Sequence, residues 1–213
     1  MGYYYQDFDL EVVGNPPADW EVHPLLDSEV SNDESFSPPN SDKIWGSARQ
    51  QGFNLPFVWT DERIKMRFWV PLDFSNYIDI IVFDDSILFS AGDDWSIVDP
   101  NIKFGICFRE VGSIYECDGN VRFDTGHTFT PETFLDIEMW IVAGTYFIEV
   151  NGVLVTSGSS PGGGSEIGGL YIDNQGDGPG NEMFLDNFQI GEAPPPDPLV
   201  IKNAILKSCA LKT

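Results

Sequence analysis

"YFIEVNGVLV", residues 146–155, decides how this chain folds. β-formers alternate on both sides of Asn151-Gly152, and both members of that dipeptide tolerate positive φ. The stretch therefore predicts two antiparallel strands joined by a two-residue turn. The pattern recurs outward in both directions. "IKMRFWVPL" (64–72), "YIDIIVFDD" (77–85), "NIKFGICFRE" (101–110), "GSIYECDGNVRF" (112–123), "FLDIEMWIVAG" (134–144), "GGLYIDN" (168–174) and "EMFLDNFQI" (182–190) are short and rich in β-branched and aromatic residues. Gly, Pro, Asn or Asp bounds each of them. No segment of the body carries a helical period. Two stretches read as loops: "DSEVSNDESFSPPNSD" (27–42), polar with two prolines, and "SGSSPGGGSEIGG" (157–169), too glycine-rich to hold a strand. Regular strands with such turns predict an all-β fold, a two-sheet antiparallel β-sandwich of the jelly-roll kind.

The chain of 213 residues is 42% hydrophobic and 14% aromatic, enough to bury a core that offsets its ordering entropy. Its formal charge is -23, unevenly spread: the first 199 residues hold eight Lys and Arg against 34 Asp and Glu. A body that acidic repels phosphate backbones and anionic lipid, which excludes nucleic acid as a partner and leaves cations, basic proteins and sugars. There is no apolar run long enough to span a membrane and no basic, then apolar, leader at Met1. Cys107 and Cys117 flank a predicted hairpin that would place them opposite each other, as a disulfide or as two reduced thiols.

At "APPPDP" (193–198) the domain ends, because consecutive prolines lack ladder donors and favour a stiff spacer. The expected organisation is a β-sandwich over 1–192, a proline-rich linker over 193–198 and a basic peptide over 199–213. In that peptide Ile201 and Ile205 share one helical face, and Lys202 and Lys207 supply positive charge. So short a helix is unstable alone, so these four residues are expected to dock on a neighbouring protein subunit of a homo- or hetero-oligomeric assembly.

Several stretches resemble one family. "DFDLEVVGNPPADW" (7–20) is similar to the opening strand of concanavalin A-like, laminin-G-like jelly rolls, "YFIEVNGVLV" to their penultimate hairpin, and "GGLYIDN" with "MFLDNFQI" to their closing strands. The resemblance covers residues 7–190 and implies a concanavalin A-like jelly roll whose first and last strands are neighbours. It also implies a structural calcium between them, held by Asp9 and Asp186, with Asp7 or Asn187 as helpers. Calcium takes six to eight oxygens at roughly 2.3–2.6 Å, so two carboxylates need carbonyls and water beside them. The alternative for this pair is two solvated or hydrogen-bonded aspartates on the outer face of the strands. The glycine loop "DNQGDGPGNE" (173–182) is no EF-hand, since Phe184 stands where the bidentate glutamate belongs.

Catalysis finds little support. Retaining glycosidases of this architecture need two carboxyls about 5–5.5 Å apart, carried on a Glu-x-Asp-x-x-Glu-like run that is missing here. Asp136 and Glu138 share a strand face and read as outward charges. "WIVAGTYF" (140–147) shares only an Ala-Gly-x-Tyr core with alginate-lyase-type strands and lacks their lysine. His23 and His127 have no metal-type spacing, and His127 is expected in a turn. The expectation is a non-catalytic structural or binding module of an assembly, such as a virion decoration or surface protein, with glycan binding as an added or alternative role. Trp45, Trp59 and Trp95 are the candidate sugar platforms, each in or beside a loop-like stretch.

Overall fold

The computed structural model describes residues 3–22, 27–33, 40–45, 49–57, 63–72, 77–90, 101–109, 112–118, 121–160, 166–174 and 182–192. Their fifteen strands are β1 (Tyr4–Gln6), β2 (Glu21–Val22), β3 (Asp27–Ser31), β4 (Ser41–Trp45), β5 (Arg49–Asn54), β6 (Arg63–Trp69), β7 (Tyr77–Phe83), β8 (Ile102–Arg109), β9 (Ser113–Asp118), β10 (Val121–Thr128), β11 (Phe134–Val142), β12 (Thr145–Val150), β13 (Val153–Ser159), β14 (Gly169–Asn174) and β15 (Met183–Ile190). They form two antiparallel sheets. One runs β13-β12-β11-β6-β15-β4-β3 with β1 also on β15, and the other runs β10-β9-β8-β7-β14-β5-β2. No α-helix occurs among the described residues, and no helix is long and apolar enough to cross a membrane. The sandwich predicted from alternation is the observed fold.

Alternation is also what joins the sheets. In β6, Ile64, Met66 and Phe68 point inward at 2% exposure or less, while Arg63, Lys65, Arg67 and Trp69 take the other face. Leu135, Ile137, Met139 and Ile141 of β11 meet Ile80, Val82, Phe104, Ile106 and Phe108 of the facing sheet in one core. Each such side chain contributes about 1.5–3 kcal/mol by burial. The turn at Asn151-Gly152 has φ of 53° and 73°, the pair of positive angles the dipeptide predicts for a primed hairpin turn.

β15 organises the first sheet. One edge pairs with β6; the other pairs with β4 through Met183–Leu185, and then with β1 through Phe188–Ile190. First and last strands are thus neighbours. Between the two segments the register shifts at Asn187, whose φ is 51°, and this bulge lets Leu185 and Phe188 both enter the core.

The structure corrects four local expectations. Residues 27–42 are not one loop, since β3 and β4 pair within them. Their polarity conceals strands because the inward Ser28 and Asp42 meet Gln51 of the opposite sheet in a buried hydrogen-bonded trio. The 157–169 stretch loses both ends to strands, and its glycines make room: a Cβ at Gly158 would lie 2.4 Å from the Tyr146 hydroxyl, and one at Gly169 would lie 2.1 Å from the Phe53 carbonyl. "GSIYECDGNVRF" is not one strand but the hairpin β9–β10. His127 stands in β10, just after a bulge at Gly126, not in a turn.

The central strands of the second sheet, β7, β8 and β14, are buried on both faces. Beyond the central core, Ile81, Phe83, Phe89, Ile102, Cys107, Cys117 and Tyr171 form a smaller cluster on its outer side. Its roof is residues 84–90. Asn54 accepts the Phe89 N–H at 2.9 Å and donates to the Phe89 carbonyl at 2.7 Å, and the Phe89 ring lies where a Cβ at Gly52 would be.

Candidate functional site

The outer face of the eight-stranded sheet carries a groove of about 410 Å³. Strand register builds it. Tyr5, Gln189, Lys65, Glu138 and Glu149 stand directly opposite one another across β1, β15, β6, β11 and β12, forming one transverse row. Asp186, Arg67 and Asp136 form the next row, and Arg63, Trp140 and Phe147 form a flanking row. The side chains are held in place by each other. Arg67 Nε donates to Asp136 Oδ1 at 2.6 Å, Arg63 Nη1 to Glu138 Oε1 at 2.5 Å, and Lys65 Nζ to Glu192 Oε1 at 2.8 Å. Arg63 also lies 4.2 Å from the Trp140 ring centroid, and Trp140 stacks on Phe147 at 5.3 Å.

At the β1 end the Tyr5 ring is 44% exposed, and its hydroxyl donates to Asn187 Oδ1 at 2.7 Å. The bulge supplies that acceptor, because the extra residue re-aims the side chain. Burial, then the charges of Asp7 and Asp186, raise the Tyr5 pKa and keep its hydroxyl a donor. The groove thus sets one open aromatic ring beside an array of fixed donors and acceptors, which suits a hydroxyl-rich ligand lying across the strands. The acids Asp136 and Glu138 share this face as the sequence predicts, and a guanidinium occupies each.

Asp9 and Asp186 lie at the same end of the sheet, since β1 runs along β15 toward them and both charges reach Tyr5. Asp186 is fully buried and its Oδ1 accepts the Asn187 N–H at 2.7 Å, while Asp9 Oδ1 accepts the Asn40 N–H at 3.3 Å. Hard oxygen donors of this kind fit calcium, with carbonyls and water required to complete the set. Among the described residues neither of them belongs to a cluster of three His, Cys, Asp or Glu whose ligand atoms all lie within 4.8 Å of one another. Asp7 accepts the Asp9 N–H at 3.2 Å through one of its two oxygens, and Asn187 Oδ1 accepts from the Tyr5 hydroxyl. Trp45 ends β4, in a strand; Trp59 and Trp95 lie outside the described residues, as do the linker 193–198 and the docking peptide with Ile201, Lys202, Ile205 and Lys207.

Sequence reasoning missed the groove's aromatic, Tyr5, and a buried polar cluster on the opposite sheet. There Asp79, wholly buried, pairs with Arg122, whose Nε is 3.3 Å from Asp79 Oδ1. Asp173, also buried, faces Asp79 directly across β14 and β7. Cys117 Sγ lies 3.6 Å from Asp79 Oδ1, and Asp79, Cys107 and Cys117 bring one ligand atom each to within 4.8 Å of one another. The guanidinium already balances the carboxylate, and burial, helped by Cys107 and Asp79, pushes the Cys117 thiol well up, so the trio does not suit a metal needing thiolates. Cys107 opposes Tyr115 and Cys117 opposes Gly105, so the cysteines are diagonal, not opposite as the hairpin predicted, and both are free thiols. An aspartate inside the apolar run "YIDIIVF" was the signal for this cluster.

No protein-family model and no curated protein matches this chain. Solved structures do. A sialidase superposes with a TM-score of 0.64 at 9% identity over 90% of this chain and 18% of that one, so the chain spans under a fifth of the sialidase. The cellulose induced protein Cip1 gives 0.58 at 12% identity, covering 89% of this chain and 97% of that one. The carbohydrate recognition domain of Emp47p gives 0.52 at 11% identity, covering 90% and 96%. The fold is the concanavalin A-like jelly roll, a scaffold that hosts many functions.

Proposed function

We propose that this chain is a non-catalytic glycan-binding module, and that the saccharide lies in the groove beside Tyr5. The carrying observation is the transverse row Tyr5, Gln189, Lys65, Glu138 and Glu149, an exposed ring followed by amide, ammonium and carboxylate groups fixed by strand register. A sugar ring offers an apolar face to the tyrosine and hydroxyls to the rest, and prearranged partners lower the ordering cost of holding it. The Emp47p carbohydrate recognition domain uses the same fold, which makes the reading compatible with the scaffold. A glycan array, run with calcium and with chelator, tests it. Binding to a defined set of saccharides supports the module; no binding in either condition removes it.

Asp9 and Asp186 would hold a structural calcium that pins the first strand to the last. Calcium should then raise the thermal midpoint of the wild type and leave an Asp9→Ala, Asp186→Ala variant unmoved. Equal midpoints with calcium and chelator in the wild type would remove the ion from the account.

The second reading is an assembly role. Its support is charge segregation: the last 14 residues carry three Lys and no acid beside a strongly acidic body. Truncation after Pro198 tests it, since a truncated chain that still oligomerises normally would contradict docking through that peptide.

A further inference from the structure

Seven Lys and Arg side chains fall among those described, and six of them, Lys43, Arg63, Lys65, Arg67, Lys103 and Arg122, pair with an acid. Arg109 is the exception, in a chain with 34 Asp and Glu. It ends β8 on the outer face of the seven-stranded sheet, directly opposite Tyr77 of β7 and Ser113 of β9. Its guanidinium carbon lies 5.4 Å from the Tyr77 ring centroid and 5.1 Å from that of Tyr115. Its Nε is buried and has no hydrogen-bond partner.

These facts belong together. A buried donor without an acceptor is costly and calls for an explanation, and a guanidinium flanked by two rings keeps its planar fork in a fixed orientation. The rings attract the cation without consuming its N–H donors, and with Nε shut off from solvent it is the two terminal Nη groups that a ligand reaches. Asp79, the buried acid of this sheet, makes its ion pair with Arg122 and not with Arg109. The chemistry that answers a fixed, unpaired fork is a planar anion accepting two parallel hydrogen bonds, which a carboxylate does. Tyr77 and Tyr115 beside it provide hydroxyls and ring edges of the kind that border a sugar, their faces being held by Arg109 and, on Tyr77, by Arg122 as well.

We infer that Arg109, with Tyr77 and Tyr115, binds the carboxylate of an acidic saccharide, at a second site on the sheet opposite the Tyr5 groove. The roles are separable. Arg109 takes the carboxylate, and the tyrosines take the ring that bears it.

Titration calorimetry with an oligoglucuronide, its carboxyl-reduced neutral counterpart and acetate tests this on the full chain. The oligoglucuronide should bind at least roughly tenfold more tightly than either of the others. Arg109→Gln should erase that preference, and Arg109→Lys should erase most of it, because an ammonium keeps the charge without the fork. Both variants should keep the wild-type thermal midpoint within a few degrees, which separates loss of binding from loss of fold. Tyr5→Ala should leave this preference untouched, so failure of the groove and failure of this site are told apart. Equal binding of charged and reduced oligosaccharides, or a preference that survives Arg109→Gln, overturns the inference; acetate binding as tightly as the oligoglucuronide overturns the saccharide part of it.

Discussion

Gln51 Nε2 donates to Asp42 Oδ2 at 2.7 Å, joining the two sheets through a hydrogen bond with no exposure to water. Ser28 Oγ completes the trio, 2.8 Å from Asp42 Oδ1 and 2.9 Å from Gln51 Oε1. A hydroxyl carries one hydrogen, so all three contacts are satisfied at once when Asp42 brings a proton of its own.

Burial accordingly raises the Asp42 pKa to about 7, against the lowering effect of its bonds to Gln51 and Ser28. The folded value exceeds the unfolded one, so the folded state holds the extra proton between them. This contribution to stability is complete below about pH 4, declines as pH rises, and is lost above about 7, with a slope of at most about 1.4 kcal/mol per pH unit. Asp42→Asn supplies the donor permanently. Urea melts at pH 5 and pH 8 should show the variant losing less stability than the wild type across that interval; parallel losses would contradict the protonated trio.

The clamp of Asn54 on Phe89 predicts that the outer roof is part of the folded unit. Phe89→Ala removes a ring that is 1% exposed and packed against Gly52 and Tyr171, and should cost about 3–5 kcal/mol in chemical denaturation. A loss below about 1 kcal/mol would mean that the sheet is stable unroofed.

Cys107 and Cys117 should be inert while the protein is folded. Both are fully buried, and burial and acidic neighbours hold the Cys117 thiol protonated. In a Cys209→Ser variant at pH 8, a thiol reagent should label neither residue on mixing and both after denaturation. Prompt labelling of the native protein would contradict the packing of the second cluster.

Alternation made the central strands legible. Ile64, Met66 and Phe68, or Leu135, Ile137 and Met139, announce both their strand and the face it buries. The Asn151-Gly152 turn announces its geometry in the same way. Strands β3, β4 and β5 are hidden in the sequence because their inward residues include Ser28, Asp42 and Gln51, whose burial depends on partners distant in sequence. The site is hidden for a related reason. Tyr5, Gln189, Lys65 and Glu138 come from four strands, and only sheet order makes them one row. The exposed ring of the groove belongs to Tyr5, in the first strand, while Trp45 stands at the end of β4.

The groove itself is tested most directly by calorimetric titration of the saccharide selected on the array into wild type, Tyr5→Ala and Trp45→Ala. Loss of the Tyr5 ring should weaken binding at least tenfold, about 1.4 kcal/mol, while the Trp45 substitution leaves it unchanged. Binding that survives Tyr5→Ala at full strength would contradict the assignment of this face as the glycan site.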